Sequence, residues 1–153
     1  MIKGSGSNRQ YIREADCIRV IGTSREENHA FIALARHFES VGLRVPHVLS
    51  VSEDEMEYTQ EDLGDTLLFD YIRSGRETGT FSEDEKRMLS KTIRALAHVQ
   101  VEGARGLDWT VCYPVESFDE RSVRWDLNYF KYCFLKATGV EFQEDLLENE
   151  FEA

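Results

Sequence analysis

The stretch from Ser24 to Gly42 constrains the first half of this chain more than any other. Ala30, Phe31, Leu34, Ala35, Phe38 and Val41 recur at three- and four-residue spacing, which is the single apolar stripe of an amphipathic helix, and Gly42 stops it. Ser24-Arg25-Glu26-Glu27 opens that helix as a capping box, with Ser24 at the cap and Glu27 three residues on. Short β-type runs flank it on both sides. Residues 9–14 and 17–22 carry β-branched or aromatic side chains and are separated by Ala15-Asp16, which suits a tight antiparallel hairpin. Pro46 blocks helix and opens an extended run over 47–51, and after a polar turn at 52–55 residues 56–60 read as a further strand. The expected order is β, β, α, β, β, followed by a connector at 61–65.

Beyond the connector the pattern is helical only. Thr66 is positioned to cap a short helix through Ile72, and 74–80, with Gly75 and Gly79, reads as a loop. Ser82-Glu83-Asp84-Glu85 is a second capping box, opening a helix with Met88, Leu89, Ile93, Leu96 and Val99 on its inner face. Residues 102–118 form a long irregular segment. A third helix over 119–138 turns Val123, Leu127, Phe130 and Phe134 inward and ends at Gly139. Residues 141–153 are acidic yet carry Phe142, Leu146, Leu147 and Phe151, as the opening turns of a helix that continues further. The fold class expected is α+β, a small antiparallel sheet with one packed helix over 1–65 and a mostly helical segment over 66–153.

Charge and cysteine usage exclude several functions. A chain of 153 residues with 41% hydrophobic content encloses one ordinary core. Its formal charge of −11, from 18 basic and 29 acidic residues, leaves no continuous basic surface for a nucleic-acid partner. The three cysteines, Cys17, Cys112 and Cys133, are far apart and show no metal-ligand spacing, as expected of reduced thiols. No apolar run reaches the ~18 residues of a membrane span, so a cytoplasmic location without a membrane partner is expected.

The chemistry-bearing feature nearest the start is Gly4-Ser5-Gly6-Ser7-Asn8. Two glycines spaced by one residue let the backbone bend close to an anion, with N–H groups turned toward phosphate oxygens. Gly-Ser runs near a terminus also occur as flexible tails, but here Arg9-Gln10-Tyr11 follows at once and leads into the hairpin. Gly4-Ser5-Gly6-Ser7-Asn8-Arg9-Gln10-Tyr11-Ile12-Arg13, Glu26-Glu27-Asn28-His29-Ala30-Phe31, Val45-Pro46-His47-Val48 and Gln60-Glu61-Asp62-Leu63-Gly64-Asp65-Thr66-Leu67 together resemble the aminoglycoside phosphotransferase-like branch of the kinase fold. Within it, the resemblance is to bacterial predicted phosphotransferases related to the cell-wall amino-sugar (N-acetylmuramate and N-acetylglucosamine) kinases. It covers residues 4–72, and Trp125-Asp126-Leu127-Asn128-Tyr129-Phe130 also resembles helical segments of that group.

The resemblance implies a kinase-like small lobe and the opening of a helical second lobe, the N-terminal portion of a phosphotransferase using ATP or GTP with Mg. Ser5 to Asn8, together with Gly4, would cover the nucleotide phosphates, and Glu61, Asp62 and Leu63 would form the connector whose backbone pairs with the base. Arg19 stands where the family's strand offers a lysine to the phosphates, and Glu27 where the first helix offers that lysine its carboxylate. Arginine binds phosphate, but its planar fork differs from lysine's point charge. Glu27 also has a structural account as the third residue of the capping box, and Arg19 as an exposed hairpin residue.

The resemblance also meets a departure. None of His29, His37, His47 or His98 is followed two residues later by aspartate, so the His-x-Asp-x-x-x-x-Asn loop that carries base and metal ligand is missing from these residues. No catalytic residue or magnesium ligand is therefore expected here, and the chain alone should not turn over. The first expectation is a nucleotide-handling part of a sugar or amino-sugar phosphotransferase, whose small-molecule acceptor binds only in the complete protein. The other is a noncatalytic lobe remnant that binds a protein partner or a nucleotide. Remaining candidates have plain structural readings: His37 at a helix boundary, His98 as a packed histidine, Asp62 and Asp65 as turn and cap residues, and the aromatic 125–134 stretch as core.

Overall fold

A computed structural model describes residues 8–152, and these form two compact units divided between Pro114 and Val115. The first unit is α+β. Strands β1 (Gln10–Arg13), β2 (Cys17–Ile21), β3 (Val48–Val51) and β4 (Glu57–Glu61) make one antiparallel sheet in the order β1-β2-β4-β3. The hairpin sets Gln10 opposite Ile21 and Arg13 opposite Ile18. Helix α1 (Arg25–Ser40) carries the chain from β2 to β3, and β4 returns between them, with Cys17 opposite Glu61 and Val20 opposite Tyr58.

Strand alternation decides what faces the helix. Ile18 and Val20 of β2 and Tyr58 of β4 are buried together with Ile32 of α1, and Tyr11, Phe31, Val48 and Val51 pack around them. The Phe31 ring stacks on Tyr58 with centroids 5.0 Å apart. Each fully buried side chain of this size stabilises the unit by about 1.5–3 kcal/mol. A polar hub completes the packing. Asn28, fully buried, donates through Nδ2 to the carbonyls of Glu55 (2.8 Å) and Met56 (3.2 Å), and its Oδ1 accepts from Arg9 Nε at 3.2 Å. Gly22 makes room for it, since a Cβ there would lie 2.2 Å from Asn28 Nδ2. Glu55 adopts φ 57, a left-handed conformation unusual for its type, and Asn28 holds the carbonyl of that residue.

The rest of the unit holds α2 (Leu68–Tyr71), α3 (Arg73–Thr78), α4 (Glu83–Val101) and a 3-10 turn at Trp109–Val111. Thr66 is not the cap of α2; Leu67 occupies that position and supplies no side-chain bond. The expected loop over 74–80 is instead mostly α3, ended by Gly79 at φ 72. Gly75 sits inside it because a Cβ would fall 2.1 Å from the Phe81 ring, so close packing, not turn formation, requires the glycine. The capping box of α4 forms in both directions: Glu85 N–H donates to Ser82 Oγ (3.3 Å), and Ser82 N–H donates to Glu85 Oε2 (2.8 Å). The apolar stripe of α4, expected to face inward, is open from Ile93 onward, with Ile93 67% and Leu96 56% exposed, while Met88 and Leu89 are half-buried.

In the second unit, α5 (Glu120–Phe130) starts at an Asp119 cap that accepts from Ser122 N–H at 2.9 Å. It runs through a π-helical turn, Lys131–Leu135, into α6 (Lys136–Thr138), and Gly139 at φ 70 ends it. Helix α7 (Glu144–Glu152) is tied back by Lys131, 4% exposed, whose Nζ pairs with Glu144 (2.5 Å) and Glu148 (2.6 Å). Val123, Phe130 and Phe134, expected inward, are exposed. Among the described residues no helix is long and apolar enough to cross a membrane, and the three cysteines are free thiols.

Candidate functional site

The connector leaves β4 beside the hairpin, and the two enclose a cleft. Because β2 lies between β1 and β4, the end of β4 emerges next to the turn of the hairpin, bringing residues 61–65 close to β1. Tyr11, Ile18 and Pro46 give the cleft apolar walls, Gln60 to Asp65 its rim, and its volume is about 360 Å³. That is within the size range of small-ligand sites. Gln60 contributes a buried Oε1 that has no hydrogen-bond partner. Leu63 is 62% exposed on the rim.

One side chain fastens this rim to the sheet. Arg13 Nε and Nη2 donate to the two oxygens of Asp62 (2.5 and 3.1 Å), and Nη1 and Nη2 donate to those of Asp65 (3.0 and 2.8 Å). Asp62 Oδ1 also accepts from Gly64 N–H at 2.9 Å, closing an Asx-type turn at the glycine, whose φ is +82. The Arg13 guanidinium holds both carboxyls below the usual aspartate range, and the carboxylates in turn raise Arg13. Two carboxylates side by side would otherwise repel, so the fork supplies both the geometry and the charge that allow this turn.

The sequence-derived residues are distributed as follows. Gly4, Ser5, Gly6 and Ser7 lie outside the described residues, and Asn8 is exposed. Of the connector residues, Glu61 N–H is already engaged by the His47 carbonyl (2.9 Å) as part of the sheet, whereas Asp62 and Leu63 lie past its edge. Arg19 and Glu27 do not pair. Alternation puts Ile18 and Val20 on the face toward α1, so Arg19 lies on the other face, where it meets Glu14 (2.9 Å) and Glu57 (3.4 Å). Glu27 instead binds Arg9 at 3.0 Å, while its N–H is capped by Ser24 Oγ at 3.2 Å. The cation beside the first turn of α1 is thus Arg9, 12% exposed and further held by the Glu27 carbonyl (3.1 Å) and the Phe31 ring.

Arg9, Arg13 and Asn28 were not singled out by sequence reasoning. All three stand inside the quoted motifs, but their bonds depend on the tertiary fold. His37, read as a boundary residue, donates through Nε2 to the Gly103 carbonyl at 2.8 Å and pins the segment after α4 to α1. A second concavity, about 510 Å³, lies at the start of α1 and includes Arg25, His29, Glu55 and Cys112. There Arg25 Nε (3.2 Å) and His29 Nδ1 (3.0 Å) both meet the Glu55 carboxylate. His29, ahead of Arg25, keeps that carboxyl below its usual range.

Among the described residues no group of three or more His, Cys, Asp or Glu side chains stands together to hold a metal ion. The carboxylates of Asp62 and Asp65 are both already engaged by Arg13, so these two residues do not fit a magnesium site. Comparison with family models, curated proteins and solved structures returned no match.

Proposed function

We propose that the first unit is a kinase-like lobe that holds the base of a nucleotide, ATP or GTP, in the cleft between the hairpin and the connector. It is read as part of a phosphotransferase acting on a small-molecule hydroxyl of the sugar or amino-sugar class. The observation that carries this reading is the cleft itself: apolar walls from Tyr11, Ile18 and Pro46 close on a rim of connector backbone that has left the sheet. Apolar walls suit a purine ring, and the Asp62-Leu63 main chain, past the sheet edge at the rim, suits the donor and acceptor edge of a base. The glycine segment at 4–8 would cover the phosphates. Transfer itself needs a base and metal ligands that these residues do not supply.

Titration with a fluorescent ATP analogue tests the reading. Wild type should bind saturably and release the analogue to competing ATP. Leu63→Pro, which removes the main-chain N–H at the rim, should weaken binding about tenfold, the loss of roughly one hydrogen bond. Leu63→Ala keeps that N–H and should bind like wild type. Equal binding by all three proteins would remove the connector from the site, and Gly6→Val tests the phosphate-covering segment separately.

A second reading, a noncatalytic module that docks a protein partner, draws support from the exposed apolar side chains Ile93, Leu96, Trp125 and Phe134. Light scattering tests it. A clean monomer over a wide concentration range, with no partner bound, would count against it.

A further inference from the structure

We infer that Arg13 is the positioning residue of the connector: it fixes the shape of the cleft by locking the 62–65 turn to β1, without itself contacting the ligand. The inference rests on the cleft being the ligand site, and it deepens that reading by saying what controls affinity there. Three observations carry it. First, residues 62–65 lie past the end of β4, outside its ladder. Second, Arg13 makes four hydrogen bonds to Asp62 and Asp65, two to each carboxylate. Third, Asp62 relays this hold to the backbone by accepting from Gly64 N–H, where the chain takes the left-handed turn at φ +82. A fork with fixed geometry clamps two points of a turn, which a flexible lysine does not. Both carboxylates and the arginine line the same cleft, so movement of the turn changes its width.

The alternative role for Arg13 is direct attraction of ligand phosphates, and the two roles predict opposite signs. If Arg13 positions the turn, Asp65→Asn loosens the clamp and weakens binding. If Arg13 met phosphate directly, Asp65→Asn would free the guanidinium and tighten binding. Asp65 suits this substitution because its side chain is 79% exposed and asparagine keeps its size.

The experiment uses the full chain in two measurements, amide exchange by mass spectrometry over peptides covering 61–67 and titration with a fluorescent ATP analogue. Arg13→Gln should speed exchange across 62–65 about tenfold or more while leaving β2 and β4 unchanged, and should weaken the analogue by a similar factor. Asp65→Asn should shift both in the same direction by less. Unchanged exchange at 62–65 in Arg13→Gln, or tighter binding by Asp65→Asn, would overturn the inference. Should wild type fail to bind the analogue at all, the nucleotide reading falls, and the exchange measurement still decides whether Arg13 clamps the turn.

Discussion

Helices α1 and α4 begin alike and end in different circumstances. Both start from a serine cap and both carry an apolar stripe at helical spacing. In the stripe of α1 Ala30 is 5% and Ala35 7% exposed, with Ile32 buried beside them at 3%, whereas Ile93 in the stripe of α4 is 67% exposed. Periodicity therefore identifies the face a helix is prepared to bury, and says nothing of whether a neighbour is there to bury it. In α1 the neighbour is adjacent in sequence on both sides; in α4 it is not.

The comparison can be broken by paired substitutions. Ile32→Ala should cost about 2–5 kcal/mol, since it opens a cavity under β2 and β4. Ile93→Ala should stay within about 0.5 kcal/mol, as exposed substitutions do. Chemical denaturation of both variants decides it, and equal costs would show that α4 is covered in solution. Next in size is Asn28→Ala, which strands the Glu55 carbonyl, while that of Met56 keeps the Gly22 N–H, and should cost about 1–3 kcal/mol. Among the described residues helix α4 shows no such buried polar anchor in its middle, and its capping box lies at its start. Ser82→Ala should thus cost about 1 kcal/mol, read as faster amide exchange in the first turns of α4.

The smallest expected effect is a pH dependence at that same cap. Bonds from Ser82 N–H, then Gly75 N–H and the Ser82 hydroxyl, hold the Glu85 carboxyl below its usual range. A lowered folded value means that the unfolded chain takes up the proton first as pH falls. The contribution of Glu85 is therefore complete above the ordinary glutamate range and disappears as pH drops through the lowered value. Protection at the start of α4, taken as exchange relative to the intrinsic amide rate at each pH, should fall on acidification in wild type. In Glu85→Gln, which cannot ionise, that acid-dependent part should be missing.

The same contrast explains what the sequence made legible. Helix α1 and its Ser24 cap, the four strands and the Ser82 box were all readable, because local spacing and turn chemistry specify them. The short helix α3 was missed because Gly75 reads as a breaker, yet it is there to admit Phe81. The Arg13 contacts with Asp62 and Asp65 span 49 and 52 residues, so they depend on β4 entering the sheet beside β2, which no local pattern encodes. The partner of Glu27 was out of reach for a related reason: strand alternation turned Arg19 away and left Arg9 as the nearby cation. Residues 62–65 follow the end of β4, and Glu61, read as the first connector residue, belongs to the sheet.

Mapping of backbone amide shifts on adding ATP to the isotope-labelled chain tests the central claim most directly. If the cleft at the connector holds the base, the largest changes fall on Tyr11, Ile18, Leu63 and Gly64. Changes centred instead on Arg25, His29 and Cys112, or no saturable change at any residue, would contradict it.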